Sequence, residues 1–187
     1  MKEQIVKIAL EQMQSGGYEN LNFAKIANEL GTSRANLHHH FKNKEGLGIA
    51  ATEQYIFYDK LFKDDIFRQH DGDIHRILEA IENKLGDYLV TRDVNNSCIL
   101  SQLIHDGEAP DSIRTMAVTR YHEEIKQIAA QIEKSKKANK LPANTNSHIL
   151  AVRIMSGIFG MIQMNLITEN KEEFKQAVKG LLTAYLT

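Results

Sequence analysis

Side chains suited to nucleic-acid recognition are concentrated between residues 31 and 47. On helical spacing, one face of this segment presents small polar, amide and basic groups, namely Ser33, Arg34, Asn36, His38 and His39. Hydroxyl and cationic groups bind phosphates, and amide and guanidinium groups pair with base edges. The segment is locally basic although the chain has a formal net charge of −1, so any argument for DNA binding is local. Periodicity alone fits a solvated helical hairpin equally well.

Two short helices joined by a tight turn must position these groups. Asn22 is predicted to cap a helix whose apolar positions 23, 26, 27 and 30 follow helical spacing, and Gly31 ends it. Thr32 or Ser33 caps the next helix, which turns Leu37 and Phe41 inward. This pattern predicts a helix-turn-helix.

The whole chain is predicted to be all-α with about nine helices. An amphipathic helix ends at Gly16-Gly17, and later helices are expected at about 44–70, 73–92, 97–106, 111–138, 147–168 and 170–186. Asn43 and Asp73 are the predicted caps of the helices that follow them. We expect a three-helix domain over residues 1–47 and a helical domain over residues 48–187.

Composition indicates a soluble, cytoplasmic protein. A single cysteine, Cys98, excludes an intramolecular disulfide, and the charged N-terminus is unlike a secretory signal. Arg153, Gln163 and Asn165 interrupt the apolar run at 149–167, so we expect no membrane span.

The N-terminal segment resembles the DNA-binding domain of the TetR family of regulators. The resemblance is carried, in order, by Ala9-Leu10, Gly17-Tyr18-Glu19, Phe23, Ile26-Ala27, Leu30-Gly31, Ser33, Leu37, His40-Phe41, Asn43-Lys44-Glu45 and Leu47. It implies a homodimer on palindromic double-stranded DNA, contacted through Asn22, Lys25, Thr32, Ser33, Arg34, Asn36, His38, His39, Lys42 and Lys44. Three positions depart from the family pattern: His38 stands for the usual Tyr, Lys42 for Pro or a small residue, and Ala24 for a frequent Arg.

The remainder of the chain is expected to bind a small-molecule effector of unknown identity. Apolar, aromatic and a few polar residues could line its pocket: Tyr55, Tyr58, Phe62, Tyr88, Cys98, His105, Met116, Tyr121, Met155 and Phe159. Core packing explains most of the aromatic residues equally well. Cys98 is either a buried small hydrophobe or, by resemblance to a TetR subgroup, a sensor of electrophiles or oxidants.

The last two helices are predicted to form the dimer interface. The 147–168 helix is apolar over more than one face, and Ser156, Gly157 and Gly160 allow close helix approach. The predicted interface residues are Ile154, Ile158, Met161, Ile162, Phe174, Val178, Leu181 and Tyr185. The resemblance implies a four-helix bundle that places two recognition helices about one DNA turn apart. Burial within a monomer is the alternative.

Taken as a whole, the sequence predicts a ligand-responsive transcription regulator, by family default a repressor. No catalytic motif, cofactor site or metal site is expected, because three consecutive histidines at 38–40 splay apart on a helix and cannot share one ion. Of the three, His40 is expected to face inward. The alternatives are a helix-turn-helix protein controlled by a protein partner and an all-α enzyme that uses Cys98. The lysine run at 134–140 is expected to be solvated rather than to bind nucleic acid.

Overall fold

A computed structural model describes residues 1–91 and 98–186, without the side chains of residues 88–91 and 166. Over these residues the chain forms nine α-helices and no strand, which confirms the predicted all-α class. The helices are α1 (Lys2–Gly16), α2 (Phe23–Glu29), α3 (Arg34–Phe41), α4 (Lys44–Gln69), α5 (Ile74–Thr91), α6 (Ile99–His105), α7 (Asp111–Lys137), α8 (Ser147–Ile167) and α9 (Lys171–Val178). Two 3₁₀ turns cover Tyr18–Asn20 and Thr183–Leu186.

The helix starts that the sequence predicts are confirmed by side-chain caps. Asn22 Oδ1 accepts hydrogen bonds from the backbone N–H groups of residues 24 and 25, and Ser33 Oγ accepts one from residue 36. Asn43 Oδ1 accepts the N–H of Gly46 at 2.7 Å, and Asp73 Oδ1 accepts that of Arg76. Each cap satisfies an N–H that the helix itself leaves without a partner.

The chain divides into two compact units. The first consists of Met1–Lys60 and Asn95–Arg120, and the second of Leu61–Val94 and Tyr121–Thr187. In the first unit, inward faces of α1, α2, α3 and the start of α4 are fully buried, as at Ile5, Met13, Ile26, Leu37 and Leu47. All of these except Leu47 are positions that helical periodicity predicts.

The first unit extends past residue 47, because the ring of Tyr18 fills the space beside Gly48 of α4. A Cβ atom at Gly48 would lie 2.8 Å from that ring and 2.8 Å from the side chain of Ile113 in α7. Parts of α4, α6 and α7 therefore pack with the first three helices. The division of functions at residue 47 stays a prediction.

The second unit has a core of branched apolar side chains from five helices. It is formed by Ile66, Phe67, Ile74, Ile77, Leu78, Ile81, Ile128, Ile132, Leu150, Ala151, Ile154, Met155, Ile158, Met161, Phe174 and Val178. In length and composition, the stretch Ser147–Asn165 of α8 could also cross a membrane, but 44% of it is buried inside the protein. A core helix accounts for that apolarity.

The C-terminal segment is not the single helix that the sequence predicts for residues 170–186. Helix α9 ends at Val178, and Gly180 takes a positive φ of 81° before a 3₁₀ turn. The buried carboxylate of Glu82 accepts the backbone N–H groups of Gly180, Leu182 and Thr183. Because a distant side chain satisfies these N–H groups, the helical pattern does not continue.

Two aspartates in the turn between α4 and α5 are paired with lysines of the second unit. Lys134 Nζ lies 2.5 Å from Asp71, and Lys140 Nζ lies 2.6 Å from Asp73. Hydrogen bonds from these lysines lower the pKa of both carboxyl groups. Lys134 and Lys140 of the lysine run therefore form ion pairs within their own chain.

We expect the Lys134→Gln/Lys140→Gln variant to lose stability in a pH-dependent way. A carboxyl whose folded pKa is lowered stabilises the fold above its unfolded pKa of about 3.9, and this contribution disappears as the pH falls through the folded pKa. The melting temperature should therefore be lower than wild type at pH 7, and the difference should shrink toward pH 2. Lys126→Gln, on α7 outside these pairs, is the control. A difference that is equal at both pH values would contradict the assignment.

Candidate nucleic-acid interface

The first turn of α3 is held rigid by its own polar side chains. Ser33 caps the helix, and Asn36 Nδ2 donates to Thr32 Oγ1 at 3.0 Å. Gly31 has a φ of 60°, a conformation that favours glycine, and a Cβ atom there would meet no atom within 4 Å. The turn is therefore sharp and open to solvent.

Arg34 is the exposed cation at the start of this helix. It follows the Ser33 cap directly, while Leu37 and Phe41 on the opposite face are buried. The N-terminus of a helix favours anions through its free N–H groups, and the guanidinium adds five donors. Lys25 on α2 and Lys42 at the end of α3 are also exposed. This arrangement presents cationic and polar groups on the surface while its apolar face holds the domain together.

Helix α2 is tied to α1 at its first residue. Asn22 uses its side-chain oxygen as the helix cap, and its backbone N–H donates to Gln12 Oε1 at 2.9 Å. Residue 22 therefore fixes the start of α2 in two ways, because its side chain caps this helix and its backbone N–H binds a side chain of α1. Ala24 lies half-buried beside the cap.

The three histidines of α3 are all exposed, so the prediction that His40 faces inward is wrong. The buried face of α3 contains residues 37 and 41, so residues 38–40 lie on its exposed sides. The ring of His38 packs at 4.8 Å from that of Phe23, and its Nδ1 lies 3.0 Å from the carbonyl oxygen of Lys42. His38 therefore braces α3 against α2 and against the end of its own helix.

Lys44 is only half-exposed, because the preceding segment holds its ammonium group. Lys44 Nζ donates to the carbonyl oxygen of Glu19 at 3.0 Å and lies 4.7 Å from the ring centroid of Tyr18. Burial, followed by the negative charge of Glu45, raises the pKa of Tyr18. Lys44 contributes its charge to the surface near α2 while it anchors the start of α4.

The predicted pocket residues are spread over both units. Tyr55, Cys98 and Met116 are half-buried in the first unit, whereas Tyr58 and His105 are exposed there. In the second unit Met155 is buried, Phe62 is exposed, and the rings of Tyr121 and Phe159 pack 4.8 Å apart. The side chain of Tyr88 lies outside the described residues. A ligand-binding role for these residues stays a prediction.

Most of the predicted dimer residues are covered by their own chain. The buried ones are Ile154, Ile158, Met161, Phe174 and Val178, and Ile162 is partly buried against the same core. Only Leu181 and Tyr185 of that set are exposed. The apolar surface that α8 leaves uncovered instead includes Ile149, Val152, Met164 and Ile167.

Sequence reasoning missed the polar links that join the first three helices to the rest of the first unit. Asp106 Oδ2 accepts the backbone N–H of Tyr18 at 2.7 Å, and Ser112 Oγ donates to Glu45 at 2.6 Å. Gly17-Tyr18 was visible as a motif, but no pattern in the sequence connects it to residue 106, which is 88 positions away. Among the described residues, no three histidine, cysteine or acidic side chains form a group that could hold a metal.

Three features define a helix-turn-helix DNA-binding domain. They are the capped helix α2, the open turn at Gly31 and the exposed N-terminal face of α3. Residues 5–51 match the model of the family described as bacterial regulatory proteins, tetR family. The predicted resemblance of this segment to the DNA-binding domain of the TetR family is confirmed. A search of curated proteins gives no match to the chain.

Solved structures share the fold over the whole chain. The regulatory protein TetR from Rhodobacter sphaeroides aligns with a TM-score of 0.84 at 18% identity, covering 99% of this chain and 98% of that one. A cysteine mutant of the TetR-family regulator CifR, complexed with 26-bp double-strand operator DNA, has a TM-score of 0.83 at 15% identity, with 98% and 96% covered. A protein from Saccharomonospora viridis in complex with choline has a TM-score of 0.73 at 21% identity, with 97% and 95% covered.

Proposed function

We propose that this regulator is a cytoplasmic homodimer that represses transcription by binding palindromic operator DNA. A small-molecule or electrophile signal releases it. The observation that carries the proposal is the exposed N-terminal face of α3, built on a rigid capped turn in a tetR-family domain. The operator-DNA complex of CifR, which has the same fold, supports the docking of this face on DNA.

In this proposal Arg34 and Asn36 contact base edges, and the surrounding basic and polar side chains contact phosphates. Lys25, Lys42 and Lys44 supply charge, and Asn22, Thr32, Ser33, His38 and His39 supply polar contacts. The tie between Asn36 and Thr32 fixes the amide before DNA arrives, which lowers the entropy cost of binding. Specificity is expected from residues 34 and 36, and affinity mainly from the cations.

We expect Arg34→Ala to weaken operator binding about 10²- to 10⁴-fold, because the dimer loses one guanidinium contact to a base at each half-site, and each contributes about 1–3 kcal/mol. The dimer state and the melting temperature should be unchanged, since Arg34 is exposed. Fluorescence anisotropy with a labelled operator measures the affinity. Arg68→Ala, another exposed arginine that pairs with Asp65 of its own helix, is the matched control. Unfolding by Arg34→Ala would show that Arg34 is structural.

The dimer is proposed to form through the exposed stripe of α8. The stripe is defined by the exposed residues Ile149, Val152, Arg153, Ser156, Gly160, Gln163, Met164 and Ile167. Their spacing of three, four or seven positions along the helix puts them on one face, about 27 Å long at 1.5 Å per residue. Ile167 is 73% exposed in the single chain, which is unusual for isoleucine. In the dimer, the partner covers this apolar surface.

The middle of this stripe consists of small residues. Ser156 and Gly160 are one helical turn apart, and a Cβ atom at Gly160 would meet nothing within 4 Å in the same chain. Two copies of α8 can thus approach closely at this point, while the apolar residues near both ends pack around it. Leu181 and Tyr185 add exposed apolar surface from the C-terminal turn. Twofold symmetry then buries the same face on both chains.

The effector signal is proposed to act near Cys98. The Cys98 thiol is half-buried at the start of α6, and the phenolic oxygen of Tyr55 donates to its sulfur at 3.4 Å. An adduct at this sulfur would displace the Tyr55 ring and the first turn of α6. The choline complex of the Saccharomonospora viridis protein supports a small molecule as the alternative effector in this fold.

Control by a protein partner is the second candidate, and an exposed apolar stripe on α4 favours it. Phe57, Tyr58 and Leu61 are each more than half exposed, and Phe62 lies beside them. Such a cluster is typical of an interaction surface. A partner would then replace the small molecule as the signal, and binding to DNA would be the same.

Selection of bound sequences from a random duplex DNA library tests the proposed function. A palindromic consensus is expected, because a twofold dimer presents two identical α3 helices. An enriched sequence without internal symmetry would contradict the proposed dimer. Failure to enrich any sequence would contradict sequence-specific binding by the free protein.

A further inference from the structure

The geometry points to Asp106 as a positioning residue that links the end of α6 to the DNA-binding helices. This inference rests on the proposed function. Asp106 directly follows the last residue of α6, and its carboxylate reaches back across the first unit to the segment between α1 and α2. It contacts no residue proposed to touch DNA, so its effect on DNA binding must be indirect.

The carboxylate of Asp106 makes two hydrogen bonds with different functions. Oδ2 accepts the backbone N–H of Tyr18 at 2.7 Å, and Oδ1 accepts that of Glu108 at 2.9 Å. The second bond closes the local turn, and the first joins that turn to the helix-turn-helix domain. Both oxygens are used, so the side chain has a defined orientation.

Gly17 makes the close approach of this carboxylate possible. Its φ is 72°, a conformation that favours glycine, and a Cβ atom there would lie 2.7 Å from Asp106 Oδ2, so the carboxylate would have to shift. The segment before Tyr18 is therefore shaped around the carboxylate. Gly17 and Asp106 form one joint from two distant parts of the chain.

The ring of Tyr18 connects this joint to the start of α4. Its ring is buried against Gly48 and lies under the ammonium group of Lys44. Lys44 in turn holds the carbonyl oxygen of Glu19, just before the Asn22 cap of α2. A displacement of Asp106 is thus transmitted to the first turns of both α2 and α4.

The other end of α6 lies at Cys98, the proposed site of the effector signal. Helix α6 has seven residues and spans about 10 Å, so a change at Cys98 and a change at Asp106 are two ends of one short rigid element. Loss of the joint would let the helix-turn-helix domain sample orientations that do not fit the operator. The apparent affinity falls with the fraction of molecules in the fitting orientation.

Operator binding by Asp106→Ala, Asp106→Asn and Gly17→Ala variants of the full chain tests the inference. We expect Asp106→Ala to weaken binding about tenfold, as for loss of a hydrogen bond to a charged group. Asp106→Asn, which keeps one acceptor oxygen, should weaken it less. Asp64→Ala is the control, because Asp64 is an exposed carboxylate in the part of α4 that belongs to the second unit.

A double-mutant cycle separates positioning from general destabilisation. Because Gly17 and Asp106 form one joint, the Gly17→Ala/Asp106→Ala double variant should bind little worse than the weaker-binding single variant. Hydrogen exchange of the Tyr18 amide should be faster in Asp106→Ala and unchanged in Asp64→Ala. Additive effects on binding, or an unchanged exchange rate at Tyr18, would overturn the inference. A wild-type chain that selects no DNA would contradict the proposed function instead, and the exchange measurement would still test the joint.

Discussion

The Gly160→Glu variant is expected to fold normally but to be a monomer with very weak operator binding. A Cβ atom at residue 160 would meet no atom within 4 Å apart from the neighbouring backbone of α8, and glutamate is a better helix former than glycine, by about 0.5 kcal/mol. The monomer should therefore be at least as stable as before. In the proposed dimer, however, the new carboxylate occupies the point of closest approach between two α8 helices, where a desolvated charge is strongly unfavourable.

Loss of the dimer removes the second half-site contact, so operator affinity should fall by about 10²- to 10⁴-fold. Analytical ultracentrifugation measures the assembly state, and anisotropy measures the affinity. Ala130→Glu is the matched control, because residue 130 is also an exposed small residue of a helix but lies on α7, outside the α8 stripe. A dimeric Gly160→Glu variant with normal operator affinity would show that the exposed α8 stripe is not the interface.

The Arg120→Met variant is expected to lose about 3–5 kcal/mol of folding stability, the cost of removing one partner of a buried ion pair. The Arg120 side chain is 1% exposed, and its Nε and Nη2 atoms donate to Asp59 Oδ2 at 3.0 and 2.7 Å. Methionine fills part of the volume but leaves the Asp59 carboxylate, itself mostly buried, without this guanidinium. Total stabilities of such proteins are about 5–15 kcal/mol, so the effect should be large.

Urea unfolding measures this loss, and two variants test its cause. Arg68→Met breaks an ion pair with Asp65 in which the arginine is 80% exposed, and should cost less than about 1 kcal/mol. Adding Asp59→Leu to Arg120→Met removes the carboxylate that has lost its guanidinium and should restore a substantial part of the stability. No recovery in the double variant would mean that lost packing of the arginine chain, rather than the loss of charge compensation at Asp59, dominates.

Local patterns predicted the elements of the DNA-binding domain well. Helical periodicity placed Ile26 and Leu37 inside, and the caps at Asn22 and Ser33 were readable because a cap acts on residues two or three positions away. The same reasoning failed at residues 179–186. There, Glu82 of a distant helix captures the backbone N–H groups, and no local signal announces such a partner.

The surfaces of α8 show a second limit of sequence reasoning. This helix is apolar nearly all round, so periodicity could not tell its core face from its outer face. The structure assigns Ile154 and Ile158 to the core of their own chain and leaves Ile149 and Ile167 outside. Likewise, the contact between Asp106 and Tyr18 depends on the tertiary fold, which brings together residues that no motif relates.

Titration of the selected palindrome with wild-type protein at 50 and 200 mM salt tests the central claim most directly. We expect two chains per palindrome and a steep loss of affinity with salt. If Lys25, Lys42 and Lys44 of both chains act on phosphates, about six contacts are made, and affinity should fall about 10³-fold between the two salt concentrations. One chain per palindrome, or an affinity that hardly changes with salt, would contradict a dimeric regulator that grips its operator through α3 and its neighbouring cations.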